Sequence, residues 1–269
     1  MSTPIEPWAR PRLAAGGGFV RFDLFCFSPG KLQDLPLSAA TYGLPNQQAM
    51  EGLEVREIPR DQEPAWFDGF RSGALRNVAK DQLGPALADL DAATVVHAVF
   101  VRKPDPKDLS HLQAMWAVAK WLIARGATVV LDAQAQRYWK AADLNDWPVN
   151  RPFALTPEVS VLVEDTPLPD GTFAVHTRGL LKFGRPDLVA LGVQKAQWDK
   201  AAALLRTLAM ALAAGAVFQH GQTSSEGQAK VKFITYEPPK NAPQLNLNND
   251  GLLVQDVDGP GLDKALAGV

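Results

Sequence analysis

The sequence contains one cysteine among its 269 residues, so it has no intrachain disulfide and no zinc site built from cysteines. It has no uninterrupted apolar run of the roughly 18 residues that a membrane-spanning helix requires. It also has no excess of one charge, because 27 Lys and Arg residues stand against 29 Asp and Glu residues for a net charge of -2. A general binder of nucleic acid or of anionic membranes would carry an excess of cations. We therefore expect no membrane span and no nucleic-acid partner.

Short motifs of known chemistry are absent as well. The sequence has no Gly-x-Ser-x-Gly frame, no His-Glu-x-x-His pair and no glycine-rich loop for phosphates or dinucleotides. The run 246–251 resembles the start of a calcium loop, but Val257 stands where such a loop carries a glutamate. Its Asn-Asp-Gly sequence is instead typical of a hairpin turn. The sequence thus predicts no cofactor and no metal site, and we expect the thiol of Cys26 to be buried and unreactive.

What is present is the composition of a folded domain, with 46% apolar and 21% charged residues. Helical patterns cover 74–92, with a break at Gly84-Pro85, and also 109–123 and 195–214. Strand-like patterns cover 19–27, 53–58, 94–103, 128–138, 159–164, 172–183, 188–193, 216–220 and 229–237. Mixed helices and strands of these lengths predict an α+β protein.

The predicted organisation has four parts: a flexible tail over 1–18, an N-terminal α+β extension over 19–92, an α+β core over 93–240, and a C-terminal hairpin and tail over 241–269. Within the core, two stretches share a plan of strand, helix ending in glycine, and strand. The first runs from His97 through Gly126 and the second from His176 through Gly215. Two such units in series predict a ferredoxin-like sandwich with both helices on one sheet face. The alternative is that the likeness reflects only the common ending of helices in glycine.

Polar side chains are predicted to line the sheet face opposite the helices. Because side chains alternate along a strand, three cationic or titratable residues share one side of the predicted strand 172–183, and polar residues share one side of 128–138. Arg178 is the foremost candidate, since its guanidinium fork suits a carboxylate or a phosphate. The alternative is a solvated outer face of the sheet. The predicted binding residues are Arg178, His176, Lys182, Asp132, Gln134 and His220.

The histidines offer a second interpretation. If their strands are neighbours, His176 and His220 together with Asp132 would resemble the first shell of a metal site or of an acid–base site. No spacing in the sequence requires this arrangement. Ferredoxin-like sheets can also bind RNA, but the glycine-aromatic signature of that module is absent.

The run 177–188 reads Thr-Arg-Gly-Leu-Leu-Lys-Phe-Gly-Arg-Pro-Asp-Leu and is followed by a long helix that ends in Gly-Ala. It resembles the signature of an uncharacterised group of bacterial α+β domains, over about residues 172–218. That group has no established activity, so the resemblance implies no catalytic residue. It implies a domain that acts by binding, in bacterial competition or secretion.

Taken together, these features predict a non-catalytic bacterial binding or accessory protein that engages a protein partner through its polar sheet face. The N-terminus shows no export signal, so we expect a cytoplasmic location. The alternative prediction is a small-molecule hydrolase or transferase that uses His176, Arg178 and His220, and a third is a structural paralogue that has lost its site. The sequence leaves the oligomeric state open.

Overall fold

The computed structural model describes residues 5–225, 229–238, 245 and 247–267. They form a mixed α+β structure whose strands lie in two separate sheets, so the predicted α+β class is confirmed. The chain divides into two compact units. Unit 1 holds Val20–Phe153 and the described residues before Arg10, and unit 2 holds Arg10–Phe19 and the described residues from Ala154 onward. The predicted divisions after residues 92 and 240 do not coincide with this boundary.

Some described residues of the predicted flexible tail are packed or hydrogen-bonded. Trp8 and Arg10 are both buried, and the amide of Arg12 donates to the carbonyl of Ala214 at 2.8 Å. The tail prediction is wrong for these residues, because the segment finds both apolar cover and backbone partners. Residues 1–4 of the predicted tail lie outside the described residues.

Unit 1 contains a five-stranded antiparallel sheet in the order β2-β3-β1-β4-β5. Its strands are β1 Val20–Ser28, β2 Leu53–Pro59, β3 Val95–Lys103, β4 Val129–Asp132 and β5 Arg137–Lys140. Its helices are α1 Ala39–Tyr42, α2 Pro64–Gly69, α3 Gly73–Leu83, α4 Leu87–Ala92, α5 Ser110–Ala124 and α6 Ala141–Asn145, with 3-10 turns at Gln47–Met50 and Gly84–Ala86. The helix prediction over 74–92 is confirmed together with its break, because Pro85 cannot donate a helical hydrogen bond.

Helices cover both faces of this sheet. On one face α5 packs on β1 and β3, and the rings of Phe22 and Trp116 meet edge to face at 5.5 Å. On the other face α2, α3 and α4 bury a cluster that includes Phe27, Phe67 and Leu83. Alternation along β1 therefore sends Phe22 to one core and Phe27 to the other. Cys26 is buried as expected, and burial raises the pKa of its thiol above the usual value.

The predicted single strand over 128–138 is wrong, since the segment folds back as a hairpin of β4 and β5. The carboxylate of Asp132 accepts the amide of Ala135 at 2.9 Å, which closes the turn in place of another ladder bond. Gln136 completes the reversal with a φ of 49°. Gln134 consequently lies in a turn and not on a strand.

Unit 2 contains a six-stranded sheet in the order β6-β7-β8-β11-β10-β9, in which only the β8–β11 pairing is parallel. Its strands are β6 Ser160–Val163, β7 Phe173–Arg178, β8 Asp187–Val193, β9 Thr223–Ser224, β10 Val231–Thr235 and β11 Gly251–Asp256. Its helices are α7 Trp198–Ala213 and α8 Asp263–Ala267, with 3-10 turns at Leu180–Phe183 and Lys195–Gln197. Helix α7 packs on β6, β7 and β8.

The prediction of one ferredoxin-like sandwich is wrong, because the two predicted units fall in different sheets and the second lacks its closing strand over 216–220. Helix α5 packs on the sheet of unit 1 and α7 on the sheet of unit 2. The two helices do end alike: Gly126 and Gly215 have φ of 122° and 109°. Ala127 and Ala216 each donate to the carbonyl five residues earlier at 3.0 Å. This local helix-ending motif accounts for much of the likeness that the sequence shows.

Three further segments differ from the predicted strands. Residues 180–183 form a 3-10 turn, residues 216–220 are not a strand, and β11 begins only at Gly251 without a described strand over 247–250. Asn246 of the predicted hairpin lies outside the described residues. No described helix combines the length and the apolar character needed to cross a bilayer.

Candidate functional site

Five of the six predicted binding residues are buried, so the prediction of an exposed polar face built from them is wrong. Of the six, only His220 is exposed. The predicted alternation holds for His176 and Arg178, which pair with Leu162 and Ser160, two residues apart on β6. A register shift near Phe173 interrupts it at the start of β7, and β7 ends before Lys182. The five buried residues of this set, each exposed by 3% or less, are His176, Arg178, Lys182, Asp132 and Gln134.

His176 is held between two acceptors. Its Nε2 lies 2.8 Å from Oε1 of Glu164, and its Nδ1 lies 3.1 Å from the carbonyl oxygen of Thr177. Both contacts are satisfied when both nitrogens carry a proton. The hydrogen bond from His176 lowers the pKa of Glu164, and the nearby charge of Arg178 lowers it further. The arrangement is a partly buried hydrogen bond that joins the residue after β6 to β7.

Asp187 ties the run 177–188 together. Its Oδ1 accepts the hydroxyl of Thr177 at 2.9 Å and the amide of Leu180 at 3.3 Å, and its Oδ2 accepts Nδ2 of Asn249 at 3.1 Å. The amide of Leu188 in turn donates to Oγ1 of Thr177 at 2.8 Å. Burial raises the pKa of Asp187 to about 6 in spite of these donors. The threonine and the aspartate of the run therefore form a buried hydrogen-bonded cluster, which we call the Asp187 cluster.

Lys182 has a structural partner as well. Its Nζ lies 3.0 Å from Oε2 of Glu158, and both side chains are fully enclosed. Gly179 and Gly184, with φ of 114° and 64°, begin and end the 3-10 turn that aims the lysine inward. An enclosed ion pair supports the packing of this corner and leaves no free ammonium for a partner.

Arg185 joins the backbone segments that meet at the same corner. Its guanidinium donates to the carbonyls of Phe183, Gly184, Gly215 and Ala216 at 2.7–3.3 Å. These oxygens close the 3-10 turn and the end of α7, so one side chain joins both elements.

The remaining predicted residues lie apart from this cluster. Asp132 and Gln134 belong to unit 1, where Gln134 Oε1 accepts the amide of Asp23 at 2.7 Å. His220 belongs to unit 2, and its Nδ1 accepts the amide of Thr235 on β10 at 3.1 Å. Strands β8 and β11 separate β7 from β10, so His176 and Thr235 lie on strands roughly 14 Å apart. The predicted association of His176 with His220 is not formed.

Beside the Asp187 cluster, unit 2 has an open groove of about 660 Å³. Phe19, with 70% of its surface exposed, stands at this groove. Gly251 lies under the ring of Tyr236, where an added Cβ atom would be only 3.0 Å from the Cβ of the tyrosine. Asn249 belongs to both features, since it lines the groove while it donates to Asp187. We call this the Phe19 groove; residues that characterise it are Phe19, Phe218, Tyr236, Leu247, Asn249 and Asp250.

Sequence reasoning did not single out Glu164, Glu158 or Asn249, which partner the predicted residues. The sequence feature that could have pointed to Asn249 was its place in a turn. No sequence feature pointed to the two glutamates, because their partners are distant along the chain. Among the described residues, no group of three or more His, Cys, Asp or Glu side chains is arranged to hold a metal ion. No family model, curated protein or solved structure matches the chain.

Proposed function

We propose that this chain is a non-catalytic binding protein that engages a partner protein through the Phe19 groove of unit 2. The observation that carries the proposal is the exposure of Phe19, 70% of whose surface faces solvent beside an aromatic groove. A large exposed aromatic ring at a concave surface is typical of a binding anchor.

The floor of the groove supports the proposal because it is fixed before any partner arrives. Arg185 lines the groove, and its guanidinium is engaged with four carbonyl groups. Asn249 is held by Asp187 and by the carbonyl of Arg185 at 2.7 Å. A preorganised surface loses little side-chain entropy on binding.

The chemistry of the lining suggests the occupant. Besides its aromatic rings, the groove is lined by Leu181, Pro186, Val217 and Leu252. Among the described residues, the charged side chains on its lining are Arg185 and Asp250. The volume suits a few side chains and not a whole protein surface. The partner is therefore expected to present an extended segment with apolar or aromatic side chains and little net charge.

The wider setting rests on the sequence. A bacterial cytoplasmic location and a role in competition or secretion stay predictions, as does the resemblance of the run 177–188 to a bacterial domain group. In the structure, this run forms the buried Asp187 cluster. That is compatible with a domain that acts by binding, because the polar residues of the run serve the packing of unit 2.

The test is selection of peptides from a randomised phage-displayed library against the immobilised full chain. Peptides that are enriched are then titrated against the wild type, Phe19→Asp and Met210→Asp. Met210 is the matched control, since it is an exposed apolar residue of α7 in the same unit. We expect enriched peptides with apolar residues that lose at least tenfold in affinity on Phe19→Asp and keep their affinity for Met210→Asp. No enrichment, or equal binding to both variants, would contradict the proposal.

The alternative of a hydrolase or transferase has one observation in its favour, the Glu164–His176 pair at 2.8 Å. The imidazole is buried, and both of its nitrogens are engaged by protein oxygens. His220, the second residue that this alternative requires, lies three strands away. The geometry therefore supports binding better than catalysis.

A further inference from the structure

Strand β2 forms an open edge of the sheet of unit 1. It pairs with β3 on one side, and among the described strands none pairs with its other side. The strand at the opposite edge, β5, is packed against α3 and α6. A run of exposed residues follows β2, and its members are Glu54, Val55, Arg56 and Glu57. An open edge of this kind presents backbone donors and acceptors with which another strand can pair.

The hydrogen bonds at the end of β2 show which of its backbone groups point outward. Just after the strand, the amide of Arg60 donates to the carbonyl of Thr94, on the β3 side, at 2.8 Å. Pro59 before it has no N–H to donate. Backbone groups alternate between the two sides of an antiparallel strand, so every second residue before Pro59 directs its N–H and C=O away from β3. These outward-directed residues are Glu57, Val55 and Leu53.

The side chains of β2 select one register for a second copy of the same strand. In a symmetric antiparallel pair with Val55 opposite Val55 of the second copy, Glu54 of each copy lies opposite Arg56 of the other. Leu53 and Glu57 of the two copies then exchange the flanking hydrogen bonds. The two neighbouring registers place Glu54 opposite Glu54, or Arg56 opposite Arg56. Like charges directly opposite each other are unfavourable, so the register centred on Val55 is preferred.

Glu54 and Arg56 already share one face of the sheet in the single chain. Nε and Nη2 of Arg56 lie 2.6 and 3.0 Å from the two carboxylate oxygens of Glu54. The guanidinium carbon is 5.7 Å from the ring centroid of Phe100 on β3. In the paired arrangement, two carboxylates and two guanidinium groups would alternate on this face, so that each charge has opposite charges on both sides.

We propose that the chain forms a symmetric dimer through β2, in which the sheets of two copies of unit 1 join into one continuous antiparallel sheet. Val55, which is 41% exposed, packs against its counterpart at the centre of the interface. Charged residues on an edge strand commonly prevent pairing with other strands, and here their order selects a second copy of the same strand. The interface is small, so the dimer is weak and reversible.

The experiment is sedimentation velocity of the full chain over about 5–500 μM, a range that brackets the weak association expected of a small interface. The wild type should shift from monomer to dimer as its concentration rises. Glu54→Arg and Arg56→Glu should each raise the dimer Kd at least about tenfold, because each places like charges opposite each other. The double variant, which exchanges the two charges, should return the Kd to within about threefold of the wild type.

The matched control for charge reversal is Lys80→Glu. Lys80 is an exposed residue of α3, which packs on β5 at the opposite edge of the same sheet. This variant should keep the dimer Kd of the wild type.

A cysteine at the centre of the interface gives a second measurement that needs no charge reversal. In the proposed register the two Val55 residues form a hydrogen-bonded pair with Cα atoms about 5.5 Å apart, a separation that a disulfide spans. Oxidised glutathione should therefore link Val55→Cys into a covalent dimer far more completely than Met210→Cys. Met210 is the matched control, since it is 43% exposed against 41% for Val55. The native Cys26 is buried and does not interfere.

Four outcomes would overturn the proposal. They are a wild type that stays monomeric over the whole range, a dimer Kd that Glu54→Arg leaves unchanged, no recovery in the double variant, and equal cross-linking of the two cysteine variants. The first outcome would leave the edge to a strand of another protein. Each of them would leave the peptide-binding proposal standing, because β2 belongs to unit 1 and the Phe19 groove to unit 2.

Discussion

Replacement of Lys182 by methionine should lower the free energy of unfolding of unit 2 by about 3–5 kcal/mol, the range for one partner lost from a buried ion pair. The structure supports the upper part of this range. Nζ of Lys182 lies 3.0 Å from Oε2 of Glu158, and neither side chain has measurable exposure. Methionine is close to lysine in volume, so the loss comes mainly from removing the ammonium beside the buried carboxylate of Glu158.

The double variant Lys182→Met with Glu158→Leu separates charge from packing. It removes both charges of this pair together, and we expect it to recover much of the loss caused by Lys182→Met alone, because the buried carboxylate is removed with the ammonium. The sum of the two single losses should therefore exceed the loss of the double variant by more than about 2 kcal/mol.

The assay is denaturant-dependent hydrogen–deuterium exchange of the β7 amides, which reports on unit 2 separately from unit 1. The wild type and the three variants are compared at one pH near neutrality. A loss below about 1 kcal/mol for Lys182→Met would refute the reasoning, since the ammonium would then be solvated or unpaired. Additive losses in the double variant would refute it equally.

Three further predictions concern other features. Burial raises the pKa of Asp187 from 3.8 to about 6, so the native state holds more protons than the unfolded state between about pH 4 and 6. The free energy of unfolding should therefore fall by about 3 kcal/mol as the pH rises through this window. Asp187→Asn should flatten that slope in pH-dependent denaturation. The pKa of Glu164 is lowered instead, so its contribution is present above about pH 4.5 and is lost as pH falls through the lower native value. Because Glu164 is 37% exposed and solvent screens its charge, Glu164→Gln should cost no more than about 1 kcal/mol at neutral pH, and it should remove this acid-side loss in pH-dependent denaturation. Gly215→Ala should cost at least about 1 kcal/mol more in thermal unfolding than Gly126→Ala, because a Cβ at Gly215 would lie 2.6 Å from Leu13 Cα whereas one at Gly126 meets the Cδ2 of Leu32 at 3.7 Å; equal losses would contradict the close approach.

The elements that the sequence predicts well carry their signals locally. The break between α3 and α4 follows from Gly84-Pro85, and the end of α5 follows from Gly126. The hairpin of β4 and β5 escaped prediction because its turn contains no glycine and uses Gln136 at positive φ. A turn stabilised by Asp132 and its neighbours looks, in sequence alone, like the continuation of a strand.

The candidate site was predicted only in part, for a different reason. Alternation correctly places His176 and Arg178 on one face of β7, but it does not reveal what lies against that face. Glu158 is distant from Lys182 along the chain, and Asn249 is more distant still from Asp187. Pairings of this kind depend on which strands become neighbours, and two similar strand-helix-strand plans gave no indication that they belong to separate sheets.

The strand order of unit 1 has a consequence during synthesis. Strand β1 lies at the centre of its sheet, between β3 and β4, yet roughly 100 residues must follow Ser28 before both neighbours have been translated. At about 5–20 residues per second the ribosome needs about 5–20 s for this stretch. Until β3 ends at Lys103, the segment Val-Arg-Phe-Asp-Leu-Phe-Cys-Phe-Ser has no partner strand in the growing polypeptide, and its second partner follows only with β4. The nascent chain is therefore expected to need chaperone protection at this segment.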